Sequence, residues 1–327
     1  MTSFVLLSVI VTLTGGVAQA APGGIPGAPT WSHKGGQPGC GAATTLVPTE
    51  SAAYYAEHPD EFVTDPDMPY GMKAQLEEIA LNRPTVVTSI SCSPGQAKAP
   101  SHQGAGSNYT LPWSGYWTGN TSSVATFATL TWTVPTLSGT SAKSSVVVWP
   151  GLGSGNAAND TLVQAGTVQA SSTTYFWWEM WPYYKTTQNI SSNTISVSPG
   201  DNVSVMVYFD TGTKTATFDF YNITKNKLVA VSVPLPPGQA FMGKQAEWVV
   251  ERTVFSDGTY SILPNFGTIS LSRAGYEVSG SSSTTVTNSS YSTLTMTTTG
   301  TSSGNILASP GPASSTGNFL VTWHRAQ

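Results

Sequence analysis

Short runs of alternating apolar and polar residues fill the chain from Asn108 to its end, and they constrain the fold more than any other feature. The clearest runs are Ile195–Ser198, Val203–Phe209, Thr215–Tyr221 and Leu228–Val233. Side chains that alternate in this way lie on opposite faces of a β-strand. Pro-Gly-Asp and Thr-Gly-Thr sequences separate the runs and are typical of turns. We therefore predict that residues 106–327 form an all-β domain, a two-sheet antiparallel β-sandwich.

The first twenty residues have the features of a secretory signal peptide. Phe4–Leu13 is apolar but too short to span a bilayer, and Ala18-Gln19-Ala20 fits a small-x-small cleavage site. This predicts a secreted, extracellular protein. No later stretch has the 18 or more apolar residues of a transmembrane helix, so we expect no membrane association.

Residues 21–105 differ in composition from the β-rich part. The segment is rich in Gly and Pro at first, and Met72–Leu81 then has the apolar spacing of a helix that Pro84 would end. Such a partly helical segment behind a signal peptide is typical of a propeptide, with processing expected near residues 103–108. An ordered N-terminal extension that stays attached is the alternative. Both cysteines, Cys40 and Cys92, lie here, so one disulfide could close this segment and none can staple the rest.

The charge distribution and the glycosylation motifs indicate what kind of protein this is. The net charge is -4, and acidic and basic residues balance from residue 106 onward. No basic stripe indicates a nucleic-acid surface, so we expect no nucleic-acid partner. So few carboxylates also favour acid tolerance. Seven Asn-x-Ser/Thr sequons are compatible with a secreted glycoprotein: Asn108, Asn120, Asn159, Asn189, Asn202, Asn222 and Asn288.

Two predicted strands carry acidic residues on one face. In Ala246–Arg252, Glu247 and Glu251 share a face with Val249. In Tyr175–Trp181, Glu179 stands between two tryptophans, and the opposite face is wholly apolar. The first pattern is compatible with a solvated face and the second with a core strand. Both are equally compatible with carboxyl groups held in a cleft.

Other catalytic arrangements find little support. The four histidines are scattered and no Cys pair has ligand spacing, so we expect no metal and no cofactor. Only His324 follows residue 106, which leaves little basis for a Ser-His-Asp triad. Asp210-Thr211-Gly212 resembles the active-site loop of aspartic peptidases, but there is no second copy. Its place between two alternating runs predicts a hairpin turn.

A series of motifs, in order, resembles the glutamic peptidases, the eqolisin family of secreted endopeptidases. The matching pieces are Trp113-Ser114-Gly115, Thr133-Val134-Pro135, Val148-Trp149-Pro150-Gly151, Leu162-Val163-Gln164-Ala165-Gly166, Trp177-Trp178-Glu179-Met180-Trp181-Pro182, Ala246-Glu247-Trp248-Val249-Val250-Glu251 and Asn265-Phe266-Gly267-Thr268-Ile269. The resemblance implies two seven-stranded sheets, similar to concanavalin A-like lectins and glucanases. It also implies a precursor with a propeptide, activity at acidic pH, and a monomer that acts on protein or peptide substrates.

The same resemblance implies the site residues. Glu251 and Gln164 correspond to the catalytic pair, and Trp149, Trp177 and Glu179 correspond to residues that line the substrate groove. Where the family tends to have acidic residues, this chain has Arg252, Val168 and Ser154, which implies a less acidic site. A sandwich with indoles beside carboxyl groups is also compatible with a carbohydrate-binding or glycan-hydrolysing protein. Glycan hydrolysis needs two carboxyl groups about 5 to 9.5 Å apart, and Glu179 or Glu247 could serve as the second one.

Overall fold

A computed structural model describes residues 56–59, 68–87, 108–119, 121–154, 160–181, 188–235, 238–255, 257–279, 284–285 and 291–327. The signal peptide, both cysteines and three of the sequons (Asn120, Asn159 and Asn288) lie outside these ranges. Of the expected processing site, Asn108 alone falls within them.

The described residues form two packed β-sheets, here called the front and back sheets, with strands numbered in chain order. In spatial order, the front sheet contains β15 (Ser292–Thr297), β3 (Trp113–Trp117), β12 (Ala246–Glu251), β5 (Ser145–Leu152), β6 (Leu162–Ala170), β7 (Thr174–Trp181) and β8 (Gln188–Asn189). All neighbours in this sheet run antiparallel. Seven described strands are the number that the resemblance implied for one sheet.

The back sheet is longer and includes two parallel pairs at its ends. Its spatial order is β1 (Thr85–Val87), β11 (Lys227–Pro234), β10 (Thr215–Asn222), β9 (Asn202–Asp210), β4 (Ala125–Thr133), β13 (Thr268–Val278), β17 (Phe319–Trp323), β16 (Ile306–Pro310), β15 and β2 (Tyr109–Thr110), with β14 (Thr284–Thr285) beside β13. β1 pairs with β11, and β2 with β15, in parallel. The predicted β-sandwich is confirmed, and these short strands depart from its antiparallel pattern.

The core lies between the sheets and is built from the alternate side chains that the pattern predicted. Phe176, Trp178 and Met180 of β7 are buried there, and Trp178 stacks on Phe218 of β10 with ring centroids 5.2 Å apart. The indole N–H of Trp248 donates to a back-sheet carbonyl at 3.0 Å. Burying these large side chains from both sheets supplies the main force that holds the sandwich together.

The strand predicted at residues 195–198 does not pair with either sheet in the described structure. Ile195 and Val197 are buried in the core, yet residues 195–198 pair with no described strand. The Ser198 N–H instead donates to the Asp201 carboxylate at 2.9 Å, and Asn222 donates to the Ser196 carbonyl. An alternating pattern reports which side chains are buried, but it does not specify where the backbone hydrogen bonds go.

The helix predicted within the N-terminal segment is confirmed as α1 (Tyr70–Ala80). It begins two residues earlier than predicted, because the Glu277 carboxylate of β13 accepts hydrogen bonds from the Tyr70 and Gly71 N–H groups. Within the described ranges, no helix is long and apolar enough to span a membrane.

Burial separates the sequons that the structure describes. Asn108 and Asn189 are exposed, whereas Asn222 is fully buried and its side-chain amide donates to Asp201 at 2.9 Å. A glycan on Asn222 would have to replace these buried hydrogen bonds, so this sequon is not an acceptor in the folded protein.

Candidate active site

The polar residues singled out from the sequence meet on the outer face of the front sheet, the face turned away from the back sheet. Strand register places Trp117, Glu247, Gly151, Gln164 and Glu179 side by side across five strands. Glu251 lies four residues further along β12 and therefore on the same face. We call Gln164, Glu179, Glu247 and Glu251 the acid–amide cluster.

Gln164 is held by a neighbouring carboxyl group. Its side-chain N–H donates to Glu179 Oε2 at 2.9 Å, and the two residues expose 1% and 5% of their surface. No described residue is a hydrogen-bond partner of the Gln164 amide oxygen. Since an amide has both donor and acceptor atoms, this arrangement fixes one end of the group and leaves the other end available.

Glu251 is held by an indole. Trp149 Nε1 donates to Glu251 Oε2 at 2.7 Å, and the Trp113 ring packs edge-on against Trp149 with centroids 5.4 Å apart. Burial raises the pKa of Glu251 to about 7, although hydrogen bonding to Trp149 and Trp113 lowers it. Without these donors the carboxyl group would be still harder to ionise.

Glu179 and Glu251 influence each other electrostatically. Burial and, to a smaller extent, the Glu251 charge raise the pKa of Glu179 to about 8, although the hydrogen bond from Gln164 lowers it. The two carboxyl groups therefore titrate as a coupled pair, in which a negative charge on one opposes ionisation of the other.

Glu247 is the member of the cluster to which the resemblance to glutamic peptidases assigned no role. It is fully buried, and within the described structure neither carboxyl oxygen has a hydrogen-bond partner. Burial raises its pKa well above the ordinary value, and the Glu251 and Asp160 charges add to the effect. The alternation pattern placed Glu247 on the correct face, but burial depends on neighbouring strands that the pattern cannot identify.

Two glycines of the family motifs lie where the Cβ atom of any other residue would collide with its neighbours. A Cβ on Gly166 would lie 2.8 Å from Trp149 Cβ and would collide with the Val148 carbonyl. A Cβ on Gly151 would lie 2.7 Å from the Trp149 ring. Glycines therefore make room for the indole that donates to Glu251.

We expect Gly166→Ala to destabilise the protein by about 1 to 3 kcal/mol, because the added methyl group overpacks a rigid site. The displaced indole should also lower peptidase activity. Gly311→Ala is the matched control, since its Cβ would have no neighbour closer than 3.8 Å. Thermal unfolding of both variants tests this; equal midpoints would contradict it.

The three residues expected to line the groove lie on the correct face but are buried. Trp149, Trp177 and Glu179 expose 0%, 2% and 5% of their surface. Partly exposed aromatic residues pack around them: Trp117, Tyr175 and Trp181. Trp181 is one of the two tryptophans that the sequence placed beside Glu179, whereas Trp117 and Tyr175 were not proposed. Composition alone cannot distinguish an aromatic residue at the rim of a cluster from one at its centre.

The three departures from the family pattern each have a structural explanation. Arg252 points away from the cluster, because its Nε donates to the Leu111 carbonyl at 3.0 Å and its guanidinium lies 4.7 Å from the Tyr260 ring centre. Ser154 donates from its N–H and hydroxyl to the buried Asp160 carboxylate. Val168 packs in the aromatic cluster around Trp113.

The part of the chain that the structure describes contains no group of three or more His, Cys, Asp or Glu residues placed to hold a metal ion. The fold and the site together define a β-sandwich protein in which buried carboxyl and amide side chains cluster on one sheet face.

The chain belongs to the Peptidase A4 family, whose model matches residues 111–316, and it is thus a glutamic endopeptidase. Its fold is similar to that of scytalido-glutamic peptidase solved with a transition state analog inhibitor (16% identity, 66% of this chain, 100% of that chain, TM-score 0.55). It is similar also to SCP-B, an eqolisin solved with the tripeptide Ala-Ile-His (16% identity, the same coverage, TM-score 0.53). Comparison with curated proteins gives no match.

Proposed function

We propose that the protein is a secreted endopeptidase that cleaves proteins with a water molecule activated by Glu251 and Gln164. The observation that carries this proposal is the placement of both side chains in one buried cluster, each oriented by its own hydrogen-bond partner. Secretion rests on the signal-peptide features of residues 1–20.

In this mechanism Glu251 is the general base. The carboxylate takes a proton from water as the water oxygen attacks the scissile carbonyl carbon, and it then gives that proton to the leaving amine. Because Trp149 donates to one oxygen, Oε2, the other oxygen can accept the proton.

Gln164 is the electrostatic partner. The amide N–H that does not bind Glu179 can donate to the oxyanion that develops on the carbonyl oxygen, and the amide oxygen can orient the attacking water. Glu179 is a positioning residue for Gln164, since it accepts a hydrogen bond from the Gln164 amide. A preorganised donor needs no rearrangement during the reaction, which is why such groups lower barriers.

Direct attack by water can be distinguished from attack by a nucleophilic side chain. Adding hydroxylamine during digestion of denatured casein should yield no hydroxamate products, because no acyl-enzyme forms, whereas a serine or cysteine nucleophile would yield them. A parallel assay on β-glucans tests the glycan-hydrolysing alternative. Release of sugar without release of peptides would overturn the proposal.

The pH dependence of kcat/KM tests the role of Glu251. The resemblance implies an acidic working range, whereas a base with a pKa of about 7 in the free enzyme places the acid limb near neutrality. Trp149→Phe removes a donor to the carboxylate and should move the limb to higher pH.

Trp177→Phe is the matched control, because it replaces a buried indole on the same face and leaves Trp149 and Trp113, the indoles that hydrogen-bond Glu251, in place. Its acid limb should stay with that of the wild type. An acid limb that is identical in all three proteins would contradict the assignment of Glu251 as the base.

A further inference from the structure

The outer face of the back sheet carries a buried apolar patch. Met206 and Leu228 are fully buried there, and Tyr208, Tyr221 and Ala230 nearly so. The side chains between them in sequence point into the sandwich core, so these strands are apolar on both faces. A face of this kind needs a cover, because antiparallel sheets that meet water on one side carry polar residues there.

The cover includes α1, which packs on this face. Met72, Leu76, Ile79 and Ala80 recur at helical spacing and are buried against the sheet. The opposite side of the helix is more open, as the exposed Ala74 shows. The apolar stripe of α1 and the apolar face of the sheet therefore shield each other from water.

Polar contacts fix the position of α1 on the sheet. Glu277 accepts the Tyr70 and Gly71 N–H groups at 3.1 and 2.9 Å, which satisfies the helix N-terminus. Arg273 binds Glu78 through two hydrogen bonds of 2.6 and 2.7 Å. Arg273 has a positive φ of 53° at an irregularity in β13, so the sheet itself deviates where it contacts the helix.

The strand after α1 extends the back sheet. β1 pairs in parallel with β11, and the Thr85 N–H donates to the Asn226 carbonyl at 3.0 Å. The Asn226 side chain donates to the carbonyls of Asn82 and Arg83. β1 therefore protects what would otherwise be an open sheet edge.

We propose that residues 70–87 are a permanent structural part of the sandwich, and that a cut between Val87 and Asn108 produces a two-chain protein in which the N-terminal fragment stays bound. The segment precedes residue 111, where the family match begins. It covers the sheet opposite to the one that carries Glu251 and Gln164, so its removal is not needed to free the site.

The experiment uses the full chain with a recognition sequence for a site-specific protease inserted between Lys98 and Ala99. After cleavage, both fragments should elute together in native size-exclusion chromatography and separate in denaturant. Cys40 and Cys92 both precede the cut, so a disulfide between them cannot hold the fragments together. Separate elution of a folded sandwich and a free N-terminal fragment would overturn the proposal.

Two variants of the cleaved protein test whether the helix contact carries the binding. Leu76→Asp places a charge in the buried interface and should weaken fragment binding about a hundredfold or more. Ala74→Asp makes the same change on the exposed side and should leave binding unchanged. If the Leu76→Asp and Ala74→Asp fragments stay bound to the sandwich equally well, the proposed helix–sheet interface is wrong. If Leu76→Asp does not fold, the retention of the unmodified fragment still decides the proposal.

Discussion

Glu251→Gln is expected to reduce kcat by about 10² to 10⁴, the range typical of losing a general base. The substitution keeps the size of the side chain and can still accept the hydrogen bond from Trp149. The loss should therefore be chemical, with little change in KM or in thermal stability at acidic pH. Peptide release from denatured casein, followed by mass spectrometry, measures it.

Gln164→Ala should have an effect of similar size, about 10² to 10³ in kcat, because it removes the proposed oxyanion donor. Asp210→Asn is the matched control for both variants. Asp210 accepts hydrogen bonds from Gly212 and Thr213 in the β9–β10 turn, which confirms the predicted hairpin. A folded Glu251→Gln protein with wild-type activity would refute the mechanism, and loss of activity in Asp210→Asn would revive aspartic chemistry.

The second large effect is a loss of stability as pH rises. Four buried carboxyl groups have pKa values raised above those of the unfolded chain: Glu179, Glu247, Glu251 and Asp219. Each binds a proton more tightly when folded, so its stabilising contribution is complete below about pH 4 and is lost as pH rises through its folded pKa.

The values for Glu251 and Glu179, about 7 and about 8, set the window. Together the two pKa values lie about 6 above the ordinary ones, so at about 1.4 kcal/mol per pKa unit the free energy of unfolding should fall by on the order of 8 kcal/mol between pH 4 and pH 8. The melting temperature should fall by on the order of 20 °C over the same interval. Calorimetry at pH 4, 6 and 8 measures this, and a melting temperature that rises with pH would contradict it.

Glu247→Gln isolates the contribution of one buried carboxyl group to the loss of stability with rising pH. Neither of its carboxyl oxygens has a described partner, so replacing the acid by an amide removes a buried titrating group at little cost in hydrogen bonds. The variant should lose less stability between pH 4 and pH 8 than the wild type. Glu77→Gln, at the surface beside Lys73, should keep the wild-type slope.

This expectation agrees with the acid tolerance inferred from the low charge of the chain and gives it a second cause. Few carboxylates must stay ionised in the folded protein, and several buried ones favour the protonated form. Composition indicated the first cause. The second depends on which acids are buried, and no count of residues contains that information.

The sequence by itself determined the elements of the sandwich and the faces of its strands. Alternation is a local property with a period of two residues, so the shared face of Glu247 and Glu251 could be predicted before any strand was paired. The helix that became α1 was equally visible from its spacing. The missing strand at residues 195–198 marks the limit, because backbone pairing is not a local property.

Only the tertiary structure decided which groups meet and how they ionise. Gln164 and Glu179 are fifteen residues apart in sequence, and strand register brings them to hydrogen-bonding distance. Trp149 and Glu251 are about a hundred residues apart, and β5 and β12 make them neighbours. The pKa of each carboxyl group then follows from removal of water by surrounding strands, a long-range effect that no stretch of sequence specifies.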